Sequence, residues 1–290
     1  MAFDRRTMIK AAALATASAG LAAPAGFALA KALPPFVPGA GVRSRVLFVN
    51  DLSGDIDGLF ATVHAILSPS IELRGIIGTR TGRADETAAA SAGLAREMLK
   101  VMGREESIPV HVGAEAKIAS AGKPVLSAGT QAIIAEAMRS DTDLPLYVAA
   151  GGGLTEVASA LMIEPAIAAR FTLVWIGGDA YPAGGTGETN FNIDALAARH
   201  VFNETSVAIW QVPRAAYATC LVSASEVQAF VAPHGKIGQW LYDKIVHAPA
   251  KYRNYINMGE TWTLGDNPLV LLTALADWVP NGARPFRYVA

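Results

Sequence analysis

Short apolar, β-prone runs alternate along this chain with longer stretches in which apolar positions recur every three to four residues. Residues 45–50 read R-V-L-F-V-N, apolar at consecutive rather than alternate positions, as expected of a strand covered on both faces. Similar runs predict strands at 71–78, 108–112, 144–149, 171–176 and 207–212. Helical spacing predicts helices at 59–67, 85–102, 131–139, 155–163, 194–203, 225–231, 237–246 and 268–275. Strand and helix in regular succession imply an α/β fold: a single domain built on a mainly parallel open sheet with helices on both faces. In such sheets ligands collect beyond the carboxyl ends of the strands, so functional side chains are expected in the loops that follow them.

The N-terminus stands outside this pattern. Arg5-Arg6-Thr7-Met8-Ile9-Lys10 is followed by an Ala-rich apolar stretch ending in Ala28-Leu29-Ala30. A basic start, an apolar middle and a small-x-small end read as a bacterial export signal, with the arginine pair indicating the twin-arginine route. The expected organisation is therefore a signal peptide at 1–30, a Pro/Gly-rich linker or arm at 31–43, and one domain at 44–290. The stretch is Ala-rich rather than Leu-rich, a poor permanent span, so no stable membrane anchor is expected after cleavage and the domain is expected in the periplasm or outside the cell.

Composition narrows the partners. Hydrophobic residues make up 52% of the chain and charged residues 17%, enough apolar material for a well-buried sheet. With a net charge of −1 and no basic block, nucleic acid is not an expected partner. The single cysteine, Cys220, excludes an internal disulfide and a cysteine-based zinc site. Its apolar surroundings fit a buried small residue better than a nucleophile.

Four loops carry candidate chemistry. Asn50-Asp51-Leu52-Ser53-Gly54-Asp55-Ile56-Asp57-Gly58 ends the first strand with three carboxylates, which repel one another unless a cation lies among them. All-oxygen ligands would select a hard ion, Ca²⁺ or Mg²⁺; a solvated turn with capping aspartates would place the same residues there. Gly151-Gly152-Gly153 lets backbone approach a ligand closely, offering carbonyls to a cation or amides to an anion. The loop from Gly177 to Asp194 brings Glu188 and Asn190, both able to bond vicinal hydroxyls. Gly265-Asp266-Asn267-Pro268 opens the last helix, where Asp266 is either a cap or one more carboxylate for a cation.

Taken in this order, the loops resemble the inosine–uridine preferring nucleoside hydrolase family, in its nucleoside-hydrolase-like bacterial branch. Asp51-Leu52-Ser53-Gly54-Asp55-Ile56-Asp57 follows the family's D-x-S-G-D-x-D-D. Ser68-Pro69-Ser70-Ile71-Glu72-Leu73-Arg74-Gly75-Ile76 is similar to its next segment, Gly152-Gly153-Leu154-Thr155-Glu156-Val157-Ala158 to its G-x-L-T-N-I-A turn, and Trp175-Ile176-Gly177-Gly178 to its M-G-G strand end. Glu188-Thr189-Asn190 with Asp194 resembles E-x-N-x-x-x-D, and Gly265-Asp266-Asn267-Pro268 the last acidic motif. The resemblance spans about 46–275. It implies hydrolysis of a ribonucleoside, or a related ribosyl compound, at its N-glycosidic bond, with one Ca²⁺ deep in the pocket holding the attacking water and the ribose hydroxyls. Asp51 is then the base that takes the water's proton, and also a cation ligand. Asp57 and Asp266 bind the ion, with Asp55 as a further candidate ligand, and a carbonyl near Gly151 completes the shell; Glu188, Asn190 and Asp57 contact the sugar.

The chain departs from the family at several points; the asparagine that members carry after the second strand, for one, has no clear match in Thr79-Arg80-Thr81-Gly82-Arg83. Gly58 stands where a second consecutive aspartate belongs, a ligand lost or supplied by Asp55. Gly265 stands where members carry a histidine that helps the purine leave. His64, His111, His200, His234 and His247 fall in no motif loop, and no general acid is assigned. Trp262 and Tyr255 could stack on a base, though simple packing explains such aromatics more readily. A calcium-containing binding protein without turnover, or another metal-dependent glycoside hydrolase, would carry the same motifs, and a homo-oligomer is compatible with all of these readings.

Overall fold

Strand β1 (Ser44–Asn50) is buried along its whole length and lies inside a six-stranded sheet. In the computed structural model, which describes residues 41–180, 187–252 and 259–274, every pairing in that sheet is parallel, in the order β3-β2-β1-β4-β5-β6. The other strands are β2 (Ile71–Gly78), β3 (Val110–Val112), β4 (Leu146–Gly151), β5 (Thr172–Ile176) and β6 (Ala208–Val212). The expected signal at 1–30, most of the arm and Tyr255 lie outside the described residues, and none of the described helices is long and apolar enough to cross a membrane.

Consecutive apolar residues in β1 serve two cores. Leu47 and Val49 face helices α3 (Ala128–Ala137), α4 (Thr155–Ile163) and α6 (Ala195–Glu204). Val46 and Phe48 face α1 (Asp57–Leu67) and α10 (Asn267–Thr273). Helices α2 (Ala88–Val101) and α9 (Gly235–Tyr252) extend that second layer through Met98, Leu99, Leu241 and Ile245. The α/β architecture with both faces covered is thus as the pattern implied. At Gly78 a side chain would meet the backbone of Ala92, with Ala92 Cα only 2.8 Å away, so the end of β2 and α2 touch because residue 78 has no Cβ.

Several extents differ from the periodicity. β3 is three residues rather than five, because this edge strand meets only the last three residues of β2, and Ile108 is buried without pairing. Helix α3 begins earlier, where Ser127 caps it by accepting the Thr130 N–H. Two short helices, α5 (Thr189–Ile193) and α7 (Arg214–Tyr217), a 3₁₀ turn (Pro165–Ala169) and a two-stranded ribbon of β7 (Leu221–Ser223) and β8 (Thr261–Thr263) carry too few residues to show a period. Between the ribbon strands the chain forms α8 (Ala224–Phe230) and α9.

Candidate active site

The strand order reverses between β1 and β4. From β1 the chain winds outward to β3, and from β4 it winds the other way to β6, so the loops leaving these two strands part and leave a crevice between them. Asn50 and Gly151, paired in register, end the two strands there. The acidic loop follows Asn50 directly, and Asp57 opens α1.

Asp266 reaches the same place from the far end of the sequence. Its backbone N–H donates to Asp57 Oδ2 at 3.1 Å, and its Oδ2 accepts from Asn50 Nδ2 at 2.7 Å. A Cβ at Gly151 would lie 2.5 Å from both Asp266 carboxylate oxygens, and one at Gly152 would lie 3.3 Å from Asp51 Cγ. The glycines therefore admit the carboxylates rather than a ligand's phosphate. The Gly151 carbonyl already accepts the Asp51 N–H at 3.2 Å and keeps one lone pair. Asp55 is exposed, and its Oδ1 accepts the Asp57 N–H at 3.0 Å, which makes it a loop-former on the rim of the cluster.

These carboxyls raise one another's pKa. Asp51 and Asp57 are both held well above the ordinary carboxylate range, first by burial and then by the charges of Asp266 and Asp55. Asp266, 3% exposed, is pushed up to about 7, chiefly by burial; Asp55 and Glu188 add to this, while the Asn50 hydrogen bond opposes it. Acidic groups so placed gain from any cation set among them.

Asn50 bears on whether the residues suit such an ion. It is fully buried; its Nδ2 is engaged by Asp266, but its Oδ1 has no hydrogen-bond partner. A buried amide oxygen left without a donor is costly unless a ligand meets it. A side chain at residue 58 would collide with this same Oδ1, with Asn50 Cγ 2.9 Å from its Cβ. The space left by the aspartate missing at Gly58 is thus taken by the Asn50 amide, not by Asp55. Among the described residues no three His, Cys, Asp or Glu side chains are gathered tightly enough to hold a metal by themselves; Asp57 and Asp266 are turned onto protein donors. The oxygen-only donor set of Asn50, Asp51, Asp57 and Asp266 nonetheless suits a hard divalent ion.

Glu188 is buried at the start of α5, and its carboxylate is fully engaged. Oε2 accepts the N–H groups of Gly178 (2.7 Å) and Phe191 (2.8 Å). Oε1 accepts the Asn190 N–H (3.0 Å) and the Tyr217 hydroxyl (2.8 Å). Asn190 donates its Nδ2 to the Ile176 carbonyl at 2.9 Å, tying the loop to the end of β5. Asp194 caps α6 and also accepts from Thr155 Oγ1 and the Ile118 N–H, so it holds the scaffold together.

Trp262 is buried in the second core, 5% exposed, and packs there rather than presenting a face to a base. Cys220 is partly buried, and burial raises its thiol pKa, which disfavours a thiolate nucleophile. Asn50 and Tyr217 were not singled out from the sequence. A lone polar residue ending an apolar strand was the available sign for Asn50. Tyr217 had none, since its placement depends on contacts with Glu188 and Gly265.

Comparison with known proteins agrees with the geometry. No curated protein matches the chain. Its fold is that of a purine-preferring ribonucleoside hydrolase from Gardnerella vaginalis, at 20% identity over 79% of each chain with a TM-score of 0.65. A plant nucleoside hydrolase is similar at 19% identity over 80% of this chain and 79% of that one, TM-score 0.63. An inosine-uridine preferring nucleoside hydrolase from Bacillus anthracis is similar at 17% identity over 81% and 82%, TM-score 0.59. The sequence profile of the inosine-uridine preferring nucleoside hydrolases matches residues 46–284, most of the chain. This chain belongs to the inosine-uridine preferring nucleoside hydrolase family and is an N-glycosyl hydrolase.

Proposed function

We propose that this enzyme hydrolyses the N-glycosidic bond of a ribonucleoside, or a related ribosyl compound, by direct attack of water, with Ca²⁺ as its cofactor and Asp51 as the general base. The observation that carries this reading is the meeting of Asp51, Asp57 and Asp266 at the β1/β4 crevice beside the buried Asn50 amide. Asn50, Asp57 and Asp266, with Asp51 beside them, would hold the ion. When bound, it supplies Lewis acidity that makes a neighbouring water easier to deprotonate and anchors sugar hydroxyls.

The side chains do the rest. Asp51 is suited to take a proton from water by its place: a carboxylate at the end of β1, beside the residues that would hold the ion. Water oxygen bonds to the anomeric carbon as the C–N bond breaks, the bonding pair leaves on the base nitrogen, and Asp51 receives the water's proton. The transition state has oxocarbenium character, which surrounding carboxylates favour. Glu188 and Asn190 shape the sugar side of the crevice from α5.

Ribose release from inosine and uridine tests this, with Ca²⁺ and with chelator. Turnover lost on chelation and in Asp51→Ala supports it. Tight nucleoside binding with no ribose released would favour a binding protein instead, and turnover of another glycoside alone would favour a different hydrolase. We further propose that residues 1–30 export the domain through the twin-arginine route to the periplasm or beyond, supported by Arg5-Arg6 and Ala28-Leu29-Ala30. Replacing both arginines by lysine should retain the precursor inside the cell, and N-terminal sequencing of exported protein should begin at Lys31.

A further inference from the structure

Three of the four donors on Glu188 are backbone N–H groups of Gly178, Asn190 and Phe191, fixed by the fold. The fourth is the phenol of Tyr217, a side chain that enters from the end of β6 on α7. With all its acceptor positions taken, the Glu188 carboxylate has no ready lone pair for a sugar hydroxyl. The phenol has: while it donates to Glu188, its own oxygen can still accept. A hydroxyl that donates to a carboxylate becomes a better acceptor, because the chain of hydrogen bonds polarises it.

The placement of Tyr217 is built in. Helix α7 is fastened to the loop that carries Glu188 by Arg214, whose Nη2 pairs with Asp179 at 2.7 Å and whose Nη1 donates to the Gly187 carbonyl at 2.6 Å. On the other side, a Cβ at residue 265 would stand 3.1 Å from Tyr217 Cδ2 and 3.1 Å from Asp57 Oδ2. The ring therefore lies beside the acidic cluster, in room that exists because residue 265 is glycine. Burial, and the Glu188 charge and hydrogen bond, hold the phenol far above its ordinary pKa, so it stays a neutral donor across the working range.

We propose that Tyr217 is the residue through which the Glu188 loop recognises the sugar: its hydroxyl donates to Glu188 and accepts a hydroxyl of the ribosyl group, with Gly265 making room for its ring. This rests on the hydrolase reading above. It makes Tyr217 a specificity-determining contact for ribosyl over deoxyribosyl substrates, and it turns the exchange at residue 265 from a loss into half of a matched pair.

The test is a substrate–variant cycle. kcat and KM are measured with Ca²⁺ for inosine and its 2′-, 3′- and 5′-deoxy analogues, on wild type, Tyr217→Phe and Gly265→Ala, with melting temperatures alongside. In wild type one analogue should lose about tenfold or more in kcat/KM relative to inosine, the worth of a hydrogen bond to a polarised acceptor. In Tyr217→Phe that same penalty should shrink to within about twofold, while the other two penalties stay as they were. Gly265→Ala, which presses on the ring and equally on Asp57 Oδ2, should shrink it in the same direction while lowering kcat/KM for all four substrates together. If all three penalties are unchanged in Tyr217→Phe at an unchanged melting temperature, the proposal is overturned; a purely structural role would lower every substrate equally. If wild type releases ribose from none of the substrates, the hydrolase reading fails instead. The cycle is then read from calorimetric binding of inosine and the three analogues, where equal penalties in wild type and Tyr217→Phe would again overturn it.

Discussion

Glu156 lies in the first turn of α4 with no exposed surface, in the Gly-Gly-Leu-Thr-Glu segment where the family carries asparagine. Its Oε1 accepts the Ala114 N–H at 2.8 Å, and Thr79 Oγ1 lies 3.0 and 3.1 Å from its two oxygens. Burial lifts its pKa from 4.5 to about 7, helped by the charge of Asp194 and resisted by these hydrogen bonds. The unfolded chain loses this proton near 4.5 and the folded chain only near 7, so Glu156 favours folding below 4.5 and that advantage is lost as pH rises through 7. At 1.36 kcal/mol per pKa unit the loss is about 3 kcal/mol. A glutamine at this position would not titrate, yet its carbonyl oxygen can still accept from Ala114. Glu156→Gln should therefore gain on wild type by about 3 kcal/mol between pH 4.5 and pH 8, or roughly 6–12 °C in Tm for a domain of this size. Urea unfolding at both pH values, at a fixed Ca²⁺ concentration, measures it; the acidic cluster titrates in both proteins and drops out of the difference. A variant–wild-type gap that is the same at the two pH values would show that Glu156 ionises normally and refute the reasoning.

Other outcomes follow from the same contacts. Asp51→Asn should lower kcat by about three orders of magnitude, the worth of a general base, with the fold unchanged by circular dichroism. Ca²⁺ at a hundredfold excess over its Kd should stabilise the protein by ~2.7 kcal/mol, raising Tm by roughly 5–10 °C, and chelator should reverse this in a thermal scan. Arg45, 5% exposed, pairs with Glu136 at 2.5 Å and donates to the Leu144 carbonyl, so Arg45→Met should cost about 3 kcal/mol in urea unfolding even though Arg74 and Arg139 still face Glu136.

The sheet was legible because each strand buries residues on both sides and so appears as an unbroken apolar run; 71–78 and 155–163 match the observed β2 and α4 end to end. The short α5 and α7 and the three-residue ribbon strands were not, since their places are set by Glu188, Arg214 and the Leu264–Cys220 backbone bond rather than by periodicity. Within the site, the acidic positions could be read from spacing and from resemblance to a family. Their partners could not: Asn50 meets Asp266 across 216 residues of sequence, and Tyr217 meets Glu188 across 29. The same holds for Glu188 itself, a hydroxyl-binding candidate by motif whose carboxylate is taken up by the loop it caps.

The amide of Asn50 sits where a longer residue at 58 would have to go, and this gives the acidic turn a history that runs in one direction. An aspartate introduced at 58 alone would strike an occupied position and damage the fold before its charge could help. Residue 50 has to become smaller first. A laboratory lineage that comes to carry Gly58→Asp should therefore acquire its changes in that order, giving up the Asn50 amide before it gains the carboxylate, and variants carrying only the second step should be missing from it.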